Sequence, residues 1–330
     1  MSESFRLNLD EVKFMGRDLM RPECVLATQA GRLYCSDWRG GVVRINPDGS
    51  QSSIGCVARR EDTAFMPNGI ALLRDRGLLI ANLGAEGGVW RLRESGSREP
   101  WLTEISGERL PAVNFVWIDE RERIWITVMF RSHPGAGRNI FRADIQDGFL
   151  AVIDNIDQPQ SARIVAEDLC TPNECRISLD GHWMYVNETF SHRLVRYPLR
   201  KDSSTGNRQI VAQFDDNTLP DGLTLDAEGG LWITGIAANK IIRVTPDGKW
   251  HLVAEDSNEA HMGAVRSAIE NGTLDRTLLY INPSRVLPNV TSIAFGGVDL
   301  RTAYVGSVSG KQLAVFRSPV AGAPPVQWSW

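Results

Sequence analysis

Six stretches of this chain repeat one pattern: a turn, a small polar residue, a short apolar run, a second turn, and a strand ending in small or polar residues. They begin RPECVLATQAGRLYCSD, MPNGIALLRDRGLLIAN, AVNFVWIDERERIWITV, TPNECRISLDGHWMYVNE, LPDGLTLDAEGGLWITG and VTSIAFGGVDLRTAYVG. At one phase of the repeat stand Glu23, Asn68, Asn114, Asn173, Asp221 and Thr291. Each carries a side-chain oxygen, and the positions after them are mostly apolar. A spacing of about 45 to 70 residues between these teeth belongs to solenoids or propellers. The period inside each unit decides between them: apolar residues alternate or run short and are bounded by Gly, Asp and Pro, which are strand signals. Four short strands per unit, six times over, predict an all-β fold, a six-bladed β-propeller with four-stranded antiparallel blades, as a single domain over 1–330.

Blade four shows the geometry this implies. An innermost strand over 175–179 is entered through TPN, a second strand covers 183–188 and a third 193–199. The tooth opens the innermost strand, so the turn after it lies on the far face. The next turn, and the connections between blades, lie on the toothed face with Asp37, Trp38, Asn82, Phe130, Arg131, His133, Asn187 and His192. His182 falls in a far-face turn. The long stretch 257–290 also emerges on the toothed face. It holds His261 and one short helix near 262–272, and reads as a lid-like insertion over the ring. SFRLNLDEVKF (4–14) is expected to close the propeller against the C-terminal blade.

A ring of oxygen donors suits a hard cation. Glu23 and Asp221 as carboxylates, with Asn114 and Asn173 as amides, supply four protein ligands. Two negative charges nearly neutralise a dication while leaving it electrophilic. The absence of sulfur and imidazole argues for one divalent cation, Ca²⁺ first, with Mg²⁺ or Mn²⁺ as alternatives. Asn and Asp before Gly are also common turn formers, which is the competing account of Asn68-Gly69 and Asp221-Gly222. Glu23 and Asn114 lack that turn chemistry. Beside a dication, Asp221 is placed to take the proton of an attacking water. Asn68 and Asn114 would hold substrate oxygens, with Arg131, His133 and His192 as further substrate-binding candidates.

Composition narrows the partners. Net charge is −4 and shows no basic stripe, which argues against nucleic acid. No apolar run reaches membrane-spanning length. Five cysteines, Cys24, Cys35, Cys56, Cys170 and Cys175, form no CxxC pair, and the polar start MSESFRLNLDEV lacks a signal layout. Both favour free thiols and a cytoplasmic location.

Nearly the whole chain, from about Arg21 to Pro319, resembles the gluconolactonase/regucalcin family of six-bladed propellers. The resemblance rests on RPE with Glu23, AVNF with Asn114, TPNE with Asn173, LPDGLTLDAEGGLWIT with Asp221, and TSIAFGG followed by LRTAYVGS. It implies a divalent metal, usually calcium and sometimes zinc or magnesium, at the residues matching Glu23, Asn173 and Asp221. Asn114 matches a position that binds metal or substrate, and Asp221 the general base or its activator. The implied reaction is hydrolysis of an aldonolactone or related ester. The chain departs from the family at Asn114-Phe115, where many members have Asn-Asp, and at Asn173-Glu174, where many have Asn-Gly. It also has TVMFRSHPGAG (127–137) in place of a DPPYG-like segment. Met129, Phe130, Trp38 and Phe190 would make the pocket more apolar than a sugar requires. The expected partner is a small-molecule lactone or ester, and this wall argues against gluconolactone itself and leaves an apolar or aromatic lactone open. The alternatives are an arylesterase or phosphotriesterase on the same metal ring, and a calcium-binding propeller without activity.

Overall fold

The computed structural model describes residues 5–57, 64–131 and 140–330. Their strands build six four-stranded antiparallel sheets. The innermost strands of blades one to six are Val25–Ala27, Pro67–Leu72, Val113–Ile118, Pro172–Ile177, Leu219–Leu225 and Val290–Gly296. In blades one to five the remaining three strands follow in chain order. In blade six the outermost strand is Lys13–Met15, paired antiparallel with Leu313–Arg317. The N-terminal segment thus closes the ring, with Lys13 and Phe14 of the expected 4–14 and Met15 just beyond it.

The middle strands read as continuous apolar runs because neighbouring blades cover both faces. Leu78–Asn82, Ile124–Val128 and Leu231–Ile236 are buried at every residue. Trp125 and Trp232 are the largest fully buried side chains. Burying an aromatic or large aliphatic side chain contributes about 1.5–3 kcal/mol, and the stacked sheets repeat that gain around the ring.

The innermost strands of blades two to six share one irregularity of pairing. Pairing with the second strand slips between Pro67 and Ile70, Val113 and Phe115, Pro172 and Cys175, Pro220 and Leu223, and Val290 and Ile293. Each slip is a β-bulge at the tooth residue. A bulge re-aims side chains locally, so the blade-four strand begins at Pro172, before the expected 175, and carries Asn173 inside it. Asn68 and Asp221 are likewise strand residues, and the glycine after each admits the next blade. A Cβ at Gly222 would lie 2.4 Å from the Thr291 carbonyl oxygen, and one at Gly69 would lie 2.8 Å from Phe115 Cα. Close approach, not turn chemistry, accounts for these two glycines.

The stretch 257–290 folds as two helices, α1 (Glu259–Glu270) and α2 (Arg276–Tyr280). Asn258 and Asp275 cap them by accepting the backbone N–H of His261 and Leu278. Met262, Val265 and Ala268 of α1, with Leu274 and Leu279, pack on Phe130, Phe141, Phe190, Leu219 and Ile236. These helices lie against the toothed face. Among the described residues no helix is long and apolar enough to cross a membrane, and all five cysteines are free thiols.

Candidate metal centre and active site

Two features of the backbone bring the teeth inward. Arg21, Thr171 and Asn289 each stand two residues before a tooth, with left-handed φ of 51°, 48° and 62°. Such a conformation is uncommon for Arg and strained for β-branched Thr, and strain of this kind concentrates at functional sites. Polar residues at the ends of second strands then fix the entry. Asp37 accepts the Met20 N–H at 2.9 Å, Asn82 the Met66 N–H at 2.7 Å and Glu188 the Cys170 N–H at 2.7 Å. From blade four, Asn187 donates to the Asp221 and Gly222 carbonyls at 3.0 and 3.1 Å.

Glu23, Asn114, Asn173 and Asp221 line one cavity beneath the helices. Its wall also carries Arg21, Thr171 and Thr189, and the apolar side chains of Met129, Phe141, Phe190, Ile236 and Leu279. The four teeth are at most 8% exposed. Glu23 Oε2, Asn173 Oδ1 and Asp221 Oδ1 are buried and accept no hydrogen bond. An unpaired buried acceptor costs about 1–3 kcal/mol, more for a charged group, and three of them facing one cavity are oxygen donors of the kind a hard cation could take. Among the described residues no cluster of three His, Cys, Asp or Glu is placed to hold a metal. The set here has two carboxylates and completes itself with amide oxygens, as calcium sites do.

The remaining contacts order the ring. Asn68 Nδ2 donates to Asn114 Oδ1 at 2.7 Å and to Glu23 Oε1 at 3.3 Å, while its Oδ1 accepts from Arg21 at 2.7 Å. Asn173 Nδ2 donates to Thr189 Oγ1 at 3.4 Å. Thr291 turns its hydroxyl to the Glu23 carbonyl at 2.7 Å, fastening blade six to blade one. Burial pushes both carboxyls above the usual range. For Glu23, Arg21 opposes the rise while Asp221 and Glu174 add to it. For Asp221, Glu174 adds and Arg21 opposes. A bound dication would reverse this balance and hold both groups ionised.

Arg131 is exposed, pairs with Glu167 at 2.6 Å and stacks on Phe149, away from this cavity. His192 faces the Thr218 carbonyl through Nδ1 at 2.9 Å and does not line it either. His133 lies outside the described residues. Of the expected apolar wall, Met129 and Phe190 line the cavity. Phe130 is core under α1, and Trp38 stacks on Arg21 at 4.4 Å. Sequence reasoning missed Arg21, Thr171 and Thr189, although Arg21 and Thr171 share one phase of the repeat, two residues before a tooth. It also missed the role of Glu174, which is buried, accepts the Leu223 N–H at 3.1 Å and pairs with Arg176 at 3.0 Å.

The chain matches the SMP-30/gluconolactonase/LRE-like region over residues 21–255. It belongs to this family. Among its relatives, the 6-deoxy-6-sulfogluconolactonase of Pseudomonas putida is 27% identical over 281 residues, 84% of this chain and 76% of that protein. A pentonolactonase of Haloferax volcanii is 24% identical over 73% of this chain and 67% of that one. The fold is shared with a gluconolactonase from Xanthomonas campestris (TM-score 0.65, 18% identity, 92% of this chain and 88% of that one). It is also shared with the calcium-binding protein regucalcin from Agrobacterium tumefaciens (TM-score 0.65, 16% identity, 94% and 96%). Membership in this family supports lactone hydrolysis as the activity of this family member.

Proposed function

We propose that the protein opens a lactone ring by hydrolysis at the toothed cavity, with one divalent cation, Ca²⁺ first, held by Glu23, Asn173, Asp221 and Asn114. The observation that carries this reading is the trio of buried, unpaired oxygens contributed by blades one, four and five. When bound, the cation would polarise the lactone carbonyl and offset the negative charge that develops there. The Asp221 carboxylate takes the proton of the attacking water as the water oxygen adds to the carbonyl carbon. The carbon–oxygen bond of the ring then breaks, and the ring oxygen leaves as a hydroxyl, taking the proton that Asp221 received and returning Asp221 to its carboxylate. Asn68 fixes Asn114 through two hydrogen bonds, to its carbonyl at 2.8 Å and its side-chain oxygen at 2.7 Å. Asn114 Nδ2 is left buried and without a partner, and is the donor for a substrate oxygen. The helices above exclude bulk water from the site.

The apolar wall of Met129, Phe141 and Phe190 supports a second reading, hydrolysis of aryl esters or phosphotriesters at the same ring. One assay separates the two. Acid release is followed with a pH indicator from sugar, aliphatic and aromatic lactones, aryl esters and phosphotriesters, after chelation and after return of Ca²⁺, Mg²⁺, Mn²⁺ or Zn²⁺. Lactone hydrolysis restored by a dication is the expected result. Activity on aryl esters or phosphotriesters alone moves the reading to the second class, and silence across the panel leaves a calcium-binding propeller.

A further inference from the structure

Two arginines stand over the ring with no carboxylate in hydrogen-bonding reach among the described residues. Arg21 is 7% exposed, its Nη1 donates to the Asn68 amide oxygen at 2.7 Å, and its Nη2 reaches the Tyr280 hydroxyl at 3.3 Å. Its guanidinium packs against the rings of Trp38 and Tyr280, 4.4 and 5.3 Å from their centroids. Its Nε is buried and donates to nothing. Arg276 opens α2, lines the same cavity, and has one polar contact among the described residues, a long 3.9 Å approach to Met66 Sδ. Burial and the nearby charge of Arg21 both disfavour its cationic form. Arg276 and Tyr280 are one helical turn apart, so α2 presents both to the cavity mouth.

The charge balance of the wall is informative. Glu23 and Asp221 are the two carboxyls that share this wall with Arg21 and Arg276. Glu174, the remaining acidic neighbour, is consumed by Arg176. A dication held at the ring would engage both carboxylates and would leave two guanidinium charges over a nearly neutral centre. Unpaired cations in a buried wall are costly, and a planar fork with free N–H groups matches an oxyanion in bidentate fashion.

We propose that Arg21 and Arg276 form an anion subsite, and that the preferred lactone carries a carboxylate, sulfonate or phosphate remote from its ring carbonyl. The anion sits beneath α2, at the cavity mouth, while the carbonyl points down to the toothed ring. This deepens the lactonase reading and rests on it for the reaction, though not for binding.

Two measurements test it. The first compares kcat/KM for gluconolactones that differ only at carbon 6: hydroxyl, carboxylate, sulfonate or phosphate. At least one charged ring is expected to exceed the neutral one by about 10- to 100-fold, the worth of charge-assisted hydrogen bonds. The three charged arms show which oxyanion fits. A neutral ring turned over as well as all three overturns the anion subsite and leaves lactone hydrolysis standing. The second measurement is calorimetric binding of 1,5-anhydroglucitol, which has no ester bond, with and without the same carbon-6 anions. Tighter binding of a charged form, lost in Arg276→Leu and partly regained in Arg276→Lys, supports the subsite even if no lactone is cleaved. Equal binding of charged and neutral forms overturns it whatever the turnover assay shows.

Discussion

Asp221 lies in the strand Leu219–Leu225 and Asp226 follows its last residue, and the two lead opposite lives. Asp226, at the far-face turn, accepts the backbone N–H of Glu228 and Gly230 at 2.9 and 2.8 Å, the Trp232 indole at 2.9 Å and Arg243 Nε at 2.6 Å. Asp119 repeats the arrangement in blade three, with Arg121, Arg123 and Trp125. Both are saturated acceptors that tie a turn to its blade. Asp221, on the toothed face, is equally buried yet keeps Oδ1 without a partner. One residue type, at the two ends of one strand, therefore serves stability at the far end and chemistry at the other. The sorting variable is the supply of donors, not burial.

Isosteric amides break the comparison most sharply. Asp221→Asn keeps the shape and removes the proton acceptor, so kcat should fall by about 10²–10⁴-fold. The thermal midpoint of chelated protein should hold or rise, since a costly buried carboxyl is gone. Asp226→Asn should do the reverse. It strips a buried partner from Arg243 and so costs about 3–5 kcal/mol of stability, with kcat of the folded fraction changed by less than a few-fold. Acid-release kinetics and denaturant unfolding on both variants check the pair. Full activity in Asp221→Asn would remove this residue from the chemistry.

The same contrast shows what could be read from the sequence. LPDGL and TLDAEGG each place an Asp beside a turn signal, and phase alone assigned the first to the ring. The propeller and the six teeth were legible because the repeat preserves both period and polarity. The strand starts were not, since a bulge adds a residue without leaving a mark in composition. Arg21 follows from the repeat only once Asn68 and Trp38 are seen around it. Arg276 belongs to a stretch with no repeat partner, so no periodicity could place it. Glu174 is legible only as a departure, and its role depends on Arg176 and the Leu223 N–H of the next blade.

The pH dependence of the metal-free protein sharpens the comparison further. Glu23 and Asp221 have folded-state values raised by burial. A raised group contributes stability that is fully present below its unfolded value, about pH 4 for a carboxyl, and that is lost as pH rises through the folded one. Chelated protein should therefore lose thermal stability from about pH 4 upward. A saturating dication should flatten the profile, with its largest stabilising shift at the alkaline end. Asp221→Asn should weaken the slope and Asp226→Asn should leave it. Scanning calorimetry across this range, with chelator and with Ca²⁺, decides the point, and a chelated protein that gains stability with pH would contradict the assignment of a ring of uncompensated carboxyls.

The smallest effects come from two glycines on the same blade. Gly222 has no left-handed backbone, but its Cβ position lies 2.6 Å from Ser292 Cα as well as against the Thr291 carbonyl. Gly222→Ala must push blade six away or rotate the bulge that aims Asp221. Overpacking of this kind costs about 1–3 kcal/mol, and here the displacement lands on the tooth, so kcat should drop together with stability. Gly229 sits in the far-face turn with φ of 80° and no atom closer than 3.6 Å. Gly229→Ala meets conformational strain of about 1–2 kcal/mol without a clash, and should lower the thermal midpoint while leaving kcat of the folded protein unchanged. Equal activity losses in the two variants would mean that the far-face turns are coupled to the ring, and that the division between the two ends of the strand is incomplete.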